Sequence, residues 1–436
     1  YIQGYQNEKE ELGEKQLQDT IEKLKQEYRK KDCVILYFIG LTESYEGEGY
    51  DRKNLKIPQN QEELLAEIAE TVGKDHIAAI SFGGAPMDFS FEKNVGAILH
   101  MYLGGQAVGE SVADLISGEV NPSGKLAETI PFSEKDTPAW RYFAPPNDDV
   151  EYRESIFVGY RYYETFHVPV KYPFGYGLSY TSFSYSELNV PEVYSGGKIQ
   201  IRFKIKNIGK VSGAEIAQLY ICPIESDVIR SHIELKGFQK IYLHPGEEKE
   251  VILELDERSF SVYDVEKKAF SMLSGKYQIC IGASVHDLQL KANMEVVGNS
   301  YFRNERELFP DYFREQPHGM EISAEQFYQL LGGEPKHDKE KKRGEYTVYD
   351  SYQDVVNVSM FGKFVRGVVH IGLKIILRGK SERDPAFKMV KMGVEEGNLE
   401  GLIATSGGIA TPKLIDMLVY NANKKYLQAF KRLLKK

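Results

Sequence analysis

The sequence contains little cysteine, little tryptophan and no long apolar run, and each shortage excludes a class of protein. Its 436 residues include 3 Cys, 1 Trp and 9 scattered His. Three cysteines far apart in the chain cannot form a disulfide framework, and neither they nor the histidines have the spacing of metal ligands. No apolar run reaches the roughly 18 residues that a membrane-spanning helix requires. We therefore expect no metal site and no cofactor.

Charge is unevenly distributed along the chain. The net charge is −9, yet residues 361–436 carry 15 Lys and Arg against 6 Asp and Glu. The first 360 residues are therefore strongly acidic, and a surface of that sign does not favour nucleic acid. With 42% hydrophobic and 27% charged residues, the composition indicates a globular protein with a sizeable core and excludes a disordered chain.

Residues 1–182 alternate helical and strand patterns. The predicted strands are 33–39, 76–82 and 95–101, and the predicted helices include Leu17–Tyr28, Gln59–Val72 and Gly104–Gly118. The strand at 33–39 is a continuous apolar run, which is typical of a strand buried on both faces. In the third helix we expect Val108, Val112, Leu115 and Ile116 to face inward. Strands and helices repeating at this spacing predict an α/β domain with a parallel sheet.

Residues 183–298 have an apolar period of two. Ile199, Ile201, Phe203 and Ile205 alternate with polar or charged residues, as in a strand with one buried and one wet face. The pattern recurs at 217–221, 251–255 and 277–281, with glycine-containing turns between the runs. Several short alternating strands predict a β-sandwich of immunoglobulin or fibronectin type III-like architecture.

Residues 299–436 form the third predicted domain, a small and mainly helical C-terminal region. Helical patterns lie near Tyr352–Arg378 and Pro412–Leu434. The stretch Phe361–Lys380 has no acidic residue and mixes apolar residues with Lys and Arg, a pattern also typical of helices that lie on anionic membranes. Because such a stretch more often packs its apolar face on its own protein, membrane association is not expected.

An acidic loop with two glycines near its centre follows the first predicted strand. From Gly40 to Arg52 it has the sequence G-L-T-E-S-Y-E-G-E-G-Y-D-R. In an open parallel sheet, ligands bind beyond the carboxyl ends of the strands, and this loop leaves one of those ends. A carboxyl group among other carboxylates tends to stay protonated at higher pH, as a general acid requires. On composition alone, an exposed acidic loop without a catalytic role is the simpler interpretation.

The second half of this loop resembles the acid/base loop of glycoside hydrolase family 3, which includes β-glucosidases and β-xylosidases. The resemblance begins at Glu48-Gly49-Tyr50-Asp51-Arg52 and continues, in order and spacing, through most of the first two predicted domains. Further matching segments are Gly83–Met87, Tyr102–Gly109, Asn121–Leu126, Phe157–Tyr163, Pro173–Thr181, Leu235–Phe238, Leu243–Glu247 and Tyr263-Asp264. The helical tail, with Ser406-Gly407-Gly408, resembles an extension of some bacterial members.

The resemblance implies a retaining, exo-acting β-glycosidase, and first of all a β-glucosidase that removes terminal non-reducing β-D-glucosyl residues. Glu48 would be the acid/base residue, with Glu46 as the second choice and Glu43 as the third. Asp51 and Arg52 would brace the loop through an ion pair, and either could instead contact a sugar hydroxyl. The substrate would be a β-linked oligosaccharide or an aryl or alkyl β-glycoside.

The sequence departs from the family in one important respect. Family members carry a (β/α)8 barrel of about 250 residues, whose Asp is the nucleophile, and no pattern of such a barrel occurs here. The family's α/β domain also normally begins with a strand and a helix upstream of the segment that resembles Tyr1–Tyr5. We therefore expect a C-terminal portion of such an enzyme: a proteolytic fragment, a shortened chain or one of two chains that associate. Alone, it is expected to be inactive.

A second hypothesis is a non-catalytic carbohydrate-binding or scaffolding protein built from the same domains. It predicts binding without hydrolysis, even when a barrel is supplied. The retained Glu48 in its glycine setting argues against this hypothesis, because a chain that has lost catalysis need not keep that residue. Under either hypothesis, we expect the alternating aromatics and glycines of Phe174–Gly177 to seal the β-sandwich against the α/β domain.

Overall fold

Three regions of secondary structure follow one another along the chain, as the sequence predicts. The computed structural model describes residues 14–30, 33–42, 45–47, 52, 54–143, 150–298, 304–334, 341–378, 384–395, 397–406 and 408–434. An α/β region with a parallel sheet comes first, a β-sandwich follows, and the last region is mainly helical. The predicted multidomain fold class is therefore confirmed. We retain 1–182, 183–298 and 299–436 as a proposal for the domain limits.

A three-stranded parallel sheet forms the centre of the first region. Its strands, in spatial order, are β1 (Ile35–Gly40), β2 (Ile77–Phe82) and β3 (Ala97–His100). In register, Ile35 is opposite Ile77 and Ala78 is opposite Ala97. The other elements are α1 (Glu14–Lys30), α2 (Gln59–Val72), α3 (Val108–Ser117), β4 (Ile130–Pro131), α4 (Tyr160–Thr165) and β5 (Val170–Tyr172). Helices α1 and α2 share one apolar core with one face of the sheet.

The other face of β1 is exposed, which corrects the prediction of a strand buried on both faces. Tyr37 and Ile39 are buried against the helices, whereas Val34, Leu36 and Phe38 are exposed. An apolar run indicates a strand, but it cannot show which faces other elements cover. In the described part of the chain, helices α1 and α2 cover only the first of the two faces.

Helix α3 is also less covered than predicted. Val112 is buried, but Ile116 is exposed. The predicted inward face of this helix is therefore only partly packed by the residues that the structure describes. Its apolar period is helical, as expected, and the helix begins at Val108 instead of Gly104.

The second region is a β-sandwich with a dense apolar core. Its strands are β6 (Phe183–Asn189), β7 (Val193–Tyr194), β8 (Ile199–Asn207), β9 (Gly213–Pro223), β10 (Glu234–Leu243), β11 (Glu248–Leu255), β12 (Ser261–Asp264), β13 (Ala269–Met272), β14 (Gly275–Gly282) and β15 (Leu288–Val296). A five-stranded sheet, β10-β9-β14-β15-β7, faces a three-stranded sheet, β11-β8-β6. Ile201, Phe203 and Ile205 pack between the sheets with the other alternating residues. The period-two pattern thus identified the buried face.

The residues after 303 divide between two cores. Helices α5 (Glu305–Leu308) and α6 (Ala324–Leu331) flank a segment whose Phe309, Tyr312 and Met320 pack against Phe157 and Tyr162 of the first region. A separate core is built by five helices: α7 (Tyr352–Asn357), α8 (Met360–Ile376), α9 (Pro385–Glu395), α10 (Leu399–Thr405) and α11 (Pro412–Ala422). The last helix, α12 (Tyr426–Leu434), packs on α11. Short 3-10 turns lie at Lys74–His76, Ser90–Asn94, Glu134–Asp136, Glu257–Phe260 and Pro310–Tyr312.

Aromatic rings and a glycine seal the contact between the first region and the sandwich. The rings of Tyr160 and Phe174 stack with centroids 4.7 Å apart, and both pack in one core with Tyr220. Gly175 has a φ of +80°, and a Cβ there would lie 2.1 Å from Oε1 of Gln218. Only glycine allows this approach. The structural role expected for Phe174–Gly177 therefore matches the packing.

Tyr162 fastens the segment after α5 to the first region, and its loss should be measurable. Its hydroxyl donates to the carbonyl of Gln316 at 2.6 Å and accepts from the amide of Gly319 at 3.0 Å. Because Tyr162→Phe would leave both backbone groups without this partner, we expect the free energy of unfolding to fall by about 2 kcal/mol in urea denaturation.

The neighbouring Tyr163→Phe is the matched control for this measurement. Tyr163 is also buried, but no hydrogen bond of its hydroxyl occurs within the described ranges. We expect a clearly smaller loss of stability from this control. Equal losses in the two variants would contradict the role assigned to the Tyr162 hydroxyl.

Candidate active site

The acidic loop leaves β1 from a firmly held strand end. The amide of Gly40 donates to Oε1 of Gln61 at 2.9 Å, and Nε2 of Gln61 donates to the carbonyl of Gly40 at 2.9 Å. Gln61 is a buried residue of α2, and its own carbonyl accepts from the hydroxyl of Tyr37 at 2.7 Å. One side chain thus satisfies both backbone groups where the strand ends. Helix α2 therefore determines where the loop begins.

Glu46 attaches the loop to the end of β2. The amides of Tyr45 and Glu46 donate to the carbonyl of Thr42 at 2.8 and 3.1 Å, which closes a turn. Oε1 of Glu46 then accepts from the amide of Gly84 at 2.5 Å. A Cβ at Gly84 would lie 3.1 Å from that oxygen and 3.0 Å from Leu103. The glycine therefore leaves the space that the carboxylate occupies.

Arg52 attaches the far end of the loop to the same segment. Its Nη2 donates to the carbonyl of Pro86. Burial lowers the pKa of Arg52, while the nearby carboxylates of Glu46 and Glu128 oppose that shift. The two ends of the acidic segment, at Glu46 and Arg52, are thus fastened to residues 84–86, which follow β2 at the carboxyl edge of the sheet.

Three further polar residues lie at this edge, and burial shifts each toward its neutral form. Burial lowers the pKa of His100 to about 4, and its Nδ1 lies 2.9 Å from Oγ of Ser81. Burial also raises the pKa of Glu128, against the opposing effects of Tyr102 and Arg52. Burial and the neighbouring Glu128 raise the pKa of Tyr102, whose ring centroid is 4.1 Å from that of His100.

Three buried polar atoms at this edge have unused hydrogen-bonding capacity. They are Oε2 of Glu46, Nη1 of Arg52 and Nε2 of His100, none of which has a partner among the described residues. The side chains of Tyr102 and Glu128 interact with each other. Buried polar atoms are normally paired in proteins. Donors and acceptors gathered in this way can bind the hydroxyl groups of a sugar.

The structure covers part of the predicted site. It brings Glu46 and Arg52 together, whereas Glu48, Glu43 and Asp51 lie outside the described residues, so the expected ion pair between Asp51 and Arg52 stays a prediction. Within the described ranges, no group of three or more His, Cys, Asp or Glu side chains is placed to hold a metal ion.

Sequence reasoning missed His100, Tyr102 and Glu128. The first two end or follow a predicted strand, so the rule that ligands bind beyond the carboxyl ends of parallel strands could have identified them. Glu128 gave no such signal, because it follows no strand and approaches Arg52 only through the tertiary fold.

Two parts of the chain match models of known domains. Residues 2–180 match the model of the glycosyl hydrolase family 3 C-terminal domain. The first region of this chain belongs to glycoside hydrolase family 3. Residues 215–285 match a fibronectin type III-like domain. The family and the order of domains that the sequence motifs indicated are therefore confirmed.

Similar proteins include several glycosidases of the family. The chain is 41% identical over 298 residues to thermostable beta-glucosidase B of Acetivibrio thermocellus, an alignment that covers 68% of this chain and 38% of the relative. It is 37% identical over 273 residues to an exo-alpha-(1->6)-L-arabinopyranosidase of Bifidobacterium breve, covering 63% and 36%. The crystal structure of a Bifidobacterium adolescentis family 3 beta-glucosidase superposes with a TM-score of 0.64 at 35% identity, covering 68% of this chain and 43% of that one.

A further solved structure extends the comparison to a sugar complex. Beta-glucosidase 3B of Thermotoga neapolitana in complex with alpha-D-glucose has a TM-score of 0.59 at 34% identity, over 65% of this chain and 40% of that one. The alignments thus span well under half the length of each of these relatives. The activity of a whole family 3 enzyme is therefore a proposal for this chain.

The contact between Glu46 and Gly84 can be tested in the isolated chain. Glu46→Ala removes the acceptor of the Gly84 amide, so we expect hydrogen exchange at that amide to become roughly tenfold faster. Glu46→Gln keeps an oxygen in place and should change the rate far less. The exchange rate at the Gly84 amide can be measured by NMR or mass spectrometry. Equal rates in the two variants would contradict this anchoring role.

The buried imidazole of His100 predicts a dependence of stability on pH. The pKa of His100 in the folded state is about 4, below the ordinary 6.5. The contribution of the neutral imidazole to the free energy of unfolding is therefore fully present above pH 6.5, and it is lost as the pH falls toward 4. We expect the free energy of unfolding, measured in urea across this range, to fall less in His100→Gln. An identical fall in both proteins would exclude His100 as the titrating group.

Proposed function

We propose that this chain supplies the acid/base part of a retaining, exo-acting β-glycosidase, with β-glucosides as its first substrates. The observation that carries the proposal is the attachment of Glu46 and Arg52 to residues 84–86, on either side of Glu48 in the sequence. Anchors on both sides of Glu48, at the carboxyl edge of a parallel sheet, are a suitable support for a group that must meet a substrate there.

Glu48 acts twice in the proposed reaction. As an acid, it donates a proton to the glycosidic oxygen while a carboxylate nucleophile attacks the anomeric carbon and the aglycone leaves. As a base, the resulting Glu48 carboxylate takes a proton from the water that cleaves the glycosyl–enzyme ester. Two displacements at the same carbon retain the β configuration. The two carboxyl groups must stand about 5–5.5 Å apart for this route.

Glu46 is less suited to proton transfer than Glu48, although it was the second choice on sequence. Its Oε1 is occupied by the amide of Gly84, and a cation, Arg52, lies nearby. A proton donor must reach the glycosidic oxygen within hydrogen-bonding distance. We therefore assign Glu46 to holding the loop. Glu43 remains the third choice.

The nucleophilic Asp would come from a (β/α)8 barrel, supplied by another part of a longer protein or by a partner chain. The exposed apolar face of β1 supports the existence of such a partner element, because exposed apolar clusters commonly mark contact surfaces. The barrel would also form most of the pocket for the non-reducing sugar. The names of the relatives, β-glucosidases and an arabinopyranosidase, favour a pyranoside with glucose tested first.

Glu48→Gln is the decisive variant, assayed with a family 3 barrel supplied by fusion or as a second chain. We expect kcat/KM for an unactivated aryl β-glucoside to fall by about 10²- to 10⁴-fold, because the amide cannot donate the proton. With a dinitrophenyl leaving group, which needs no proton, added azide should restore turnover and yield the β-glycosyl azide.

Glu46→Gln provides the control at a neighbouring carboxylate. It should lower activity less, and azide should not rescue it. Unchanged activity in Glu48→Gln, or azide rescue in Glu46→Gln, would move the acid/base role away from Glu48. Glucoside binding without hydrolysis by the barrel-completed protein would instead favour the non-catalytic alternative. An aryl α-L-arabinopyranoside assayed in parallel would show which sugar is preferred.

A further inference from the structure

Helix α8 has two apolar arcs, and only one of them is packed. Phe361, Val365 and Val369 face the core of the C-terminal region. A second set of large apolar side chains on the same helix is 54–82% exposed: Met360, Phe364, Val368, Ile371 and Ile375. The expectation that the apolar residues of Phe361–Lys380 pack on their own protein therefore holds for the first of these two arcs and not for the second. We call the exposed set the outer stripe.

The outer stripe is continuous along the helix. Its members are spaced by three or four residues, so at 100° per residue they fall within about 80° of the helix surface. From Met360 to Ile375 the stripe is roughly 22 Å long at 1.5 Å per residue. Scattered exposed apolar residues need no explanation, but a continuous stripe of five marks a contact surface.

Basic side chains lie beside the outer stripe. Lys363, Arg366 and Lys374 are exposed on the neighbouring arc, and Met360–Ile376 contains no acidic residue. Nη1 of Arg366 is held 2.7 Å from Oδ1 of Asn357, while the two lysines occupy the arc nearest the stripe. The surface therefore complements a partner that is apolar inside and anionic at its boundary.

Helix α12 repeats the arrangement in the same region. Its exposed apolar side chains are Tyr426, Leu427, Phe430, Leu433 and Leu434. Lys424, Lys425 and Lys431 are exposed next to them. Aromatic rings and lysines together are typical of helices at a membrane surface, where rings sit at headgroup level and lysine stems reach toward phosphates.

We propose that the outer stripe of α8 binds an anionic lipid bilayer, with the helix lying in the plane of the interface. The part of the chain that the structure describes contains no helix long and apolar enough to cross a membrane, so the contact is peripheral. The stripe enters the boundary of the acyl chains, and Lys363 and Lys374 contact lipid phosphates. The proposal does not depend on the role of Glu48.

Charge complementarity favours a bilayer over a second copy of the chain. An antiparallel contact between two outer stripes would bring the lysine rows of both copies to the same side of the contact, where they repel. An anionic bilayer meets those rows with opposite charge, which attracts them to the surface. The net charge of +9 on residues 361–436 acts in the same direction.

Vesicle co-sedimentation of the full chain tests the proposal. The vesicles are phosphatidylcholine alone or phosphatidylcholine with roughly one quarter phosphatidylglycerol, at about 0.1 M and about 0.5 M salt. We expect binding to the anionic vesicles at low salt and loss of most of that binding at high salt. Equal binding to both lipid compositions, or none to either, would overturn the proposal.

Paired variants localise the contact to α8. Lys363→Glu with Lys374→Glu should lower the partition coefficient roughly thirtyfold or more, and Phe364→Asp with Ile371→Asp should abolish binding. Two controls change exposed positions of the sandwich. Lys206→Glu with Lys240→Glu matches the lysine pair, and Phe238→Asp matches the apolar pair. These controls should bind like the unaltered chain.

Circular dichroism and the urea midpoint establish that each variant is folded. Because the altered α8 side chains are exposed, we expect both measurements to match those of the unaltered chain. Vesicle binding that survives both α8 pairs would overturn the proposal. A second outcome would also overturn the proposal: the unaltered chain does not bind vesicles, and sedimentation equilibrium shows it to be a dimer that Phe364→Asp dissociates. The outer stripe would then bind a second copy of the chain.

Discussion

The two hydrogen bonds between the Gln61 side chain and the backbone of Gly40 are the constraint on which the candidate site depends. They connect a buried position of α2 to the last residue of β1, so the packing of the helix determines where the acidic loop starts. From that origin the loop reaches Gly84 through Glu46 and Pro86 through Arg52. A shift of α2 would therefore move the start of the acidic loop.

The electrostatics of this sheet edge favour a neutral, hydroxyl-rich ligand. Burial moves His100 and Glu128 toward their uncharged forms and keeps the Tyr102 hydroxyl protonated. Glu46 and Arg52 carry opposite charges that offset each other. Unused donors and acceptors remain on Glu46, Arg52 and His100. The described residues of this edge can bind hydroxyl groups through hydrogen bonds, which agrees with the proposed sugar substrate.

Catalysis and membrane contact would use separate parts of the molecule. The proposed acid/base loop belongs to the acidic first region, whereas the outer stripe belongs to the basic C-terminal region, whose core is formed by its own helices. The segment with Tyr312 and Met320 packs instead against the first region. The two proposals can therefore succeed or fail independently, since neither set of residues supports the other.

The sequence by itself determined the local periods, the order of the three regions and the family. The alternation around Phe203 identified a buried sheet face correctly, because the geometry of one strand produces that pattern. Only the tertiary structure decided which apolar faces are covered: Phe38 and Phe364 are as apolar as Phe203, yet both are exposed. It also brought Glu128 near Arg52 and placed the sulfurs of Cys222 and Cys280, distant in sequence, 3.8 Å apart. Burial and proximity depend on contacts between distant segments, which periodicity within one segment cannot specify.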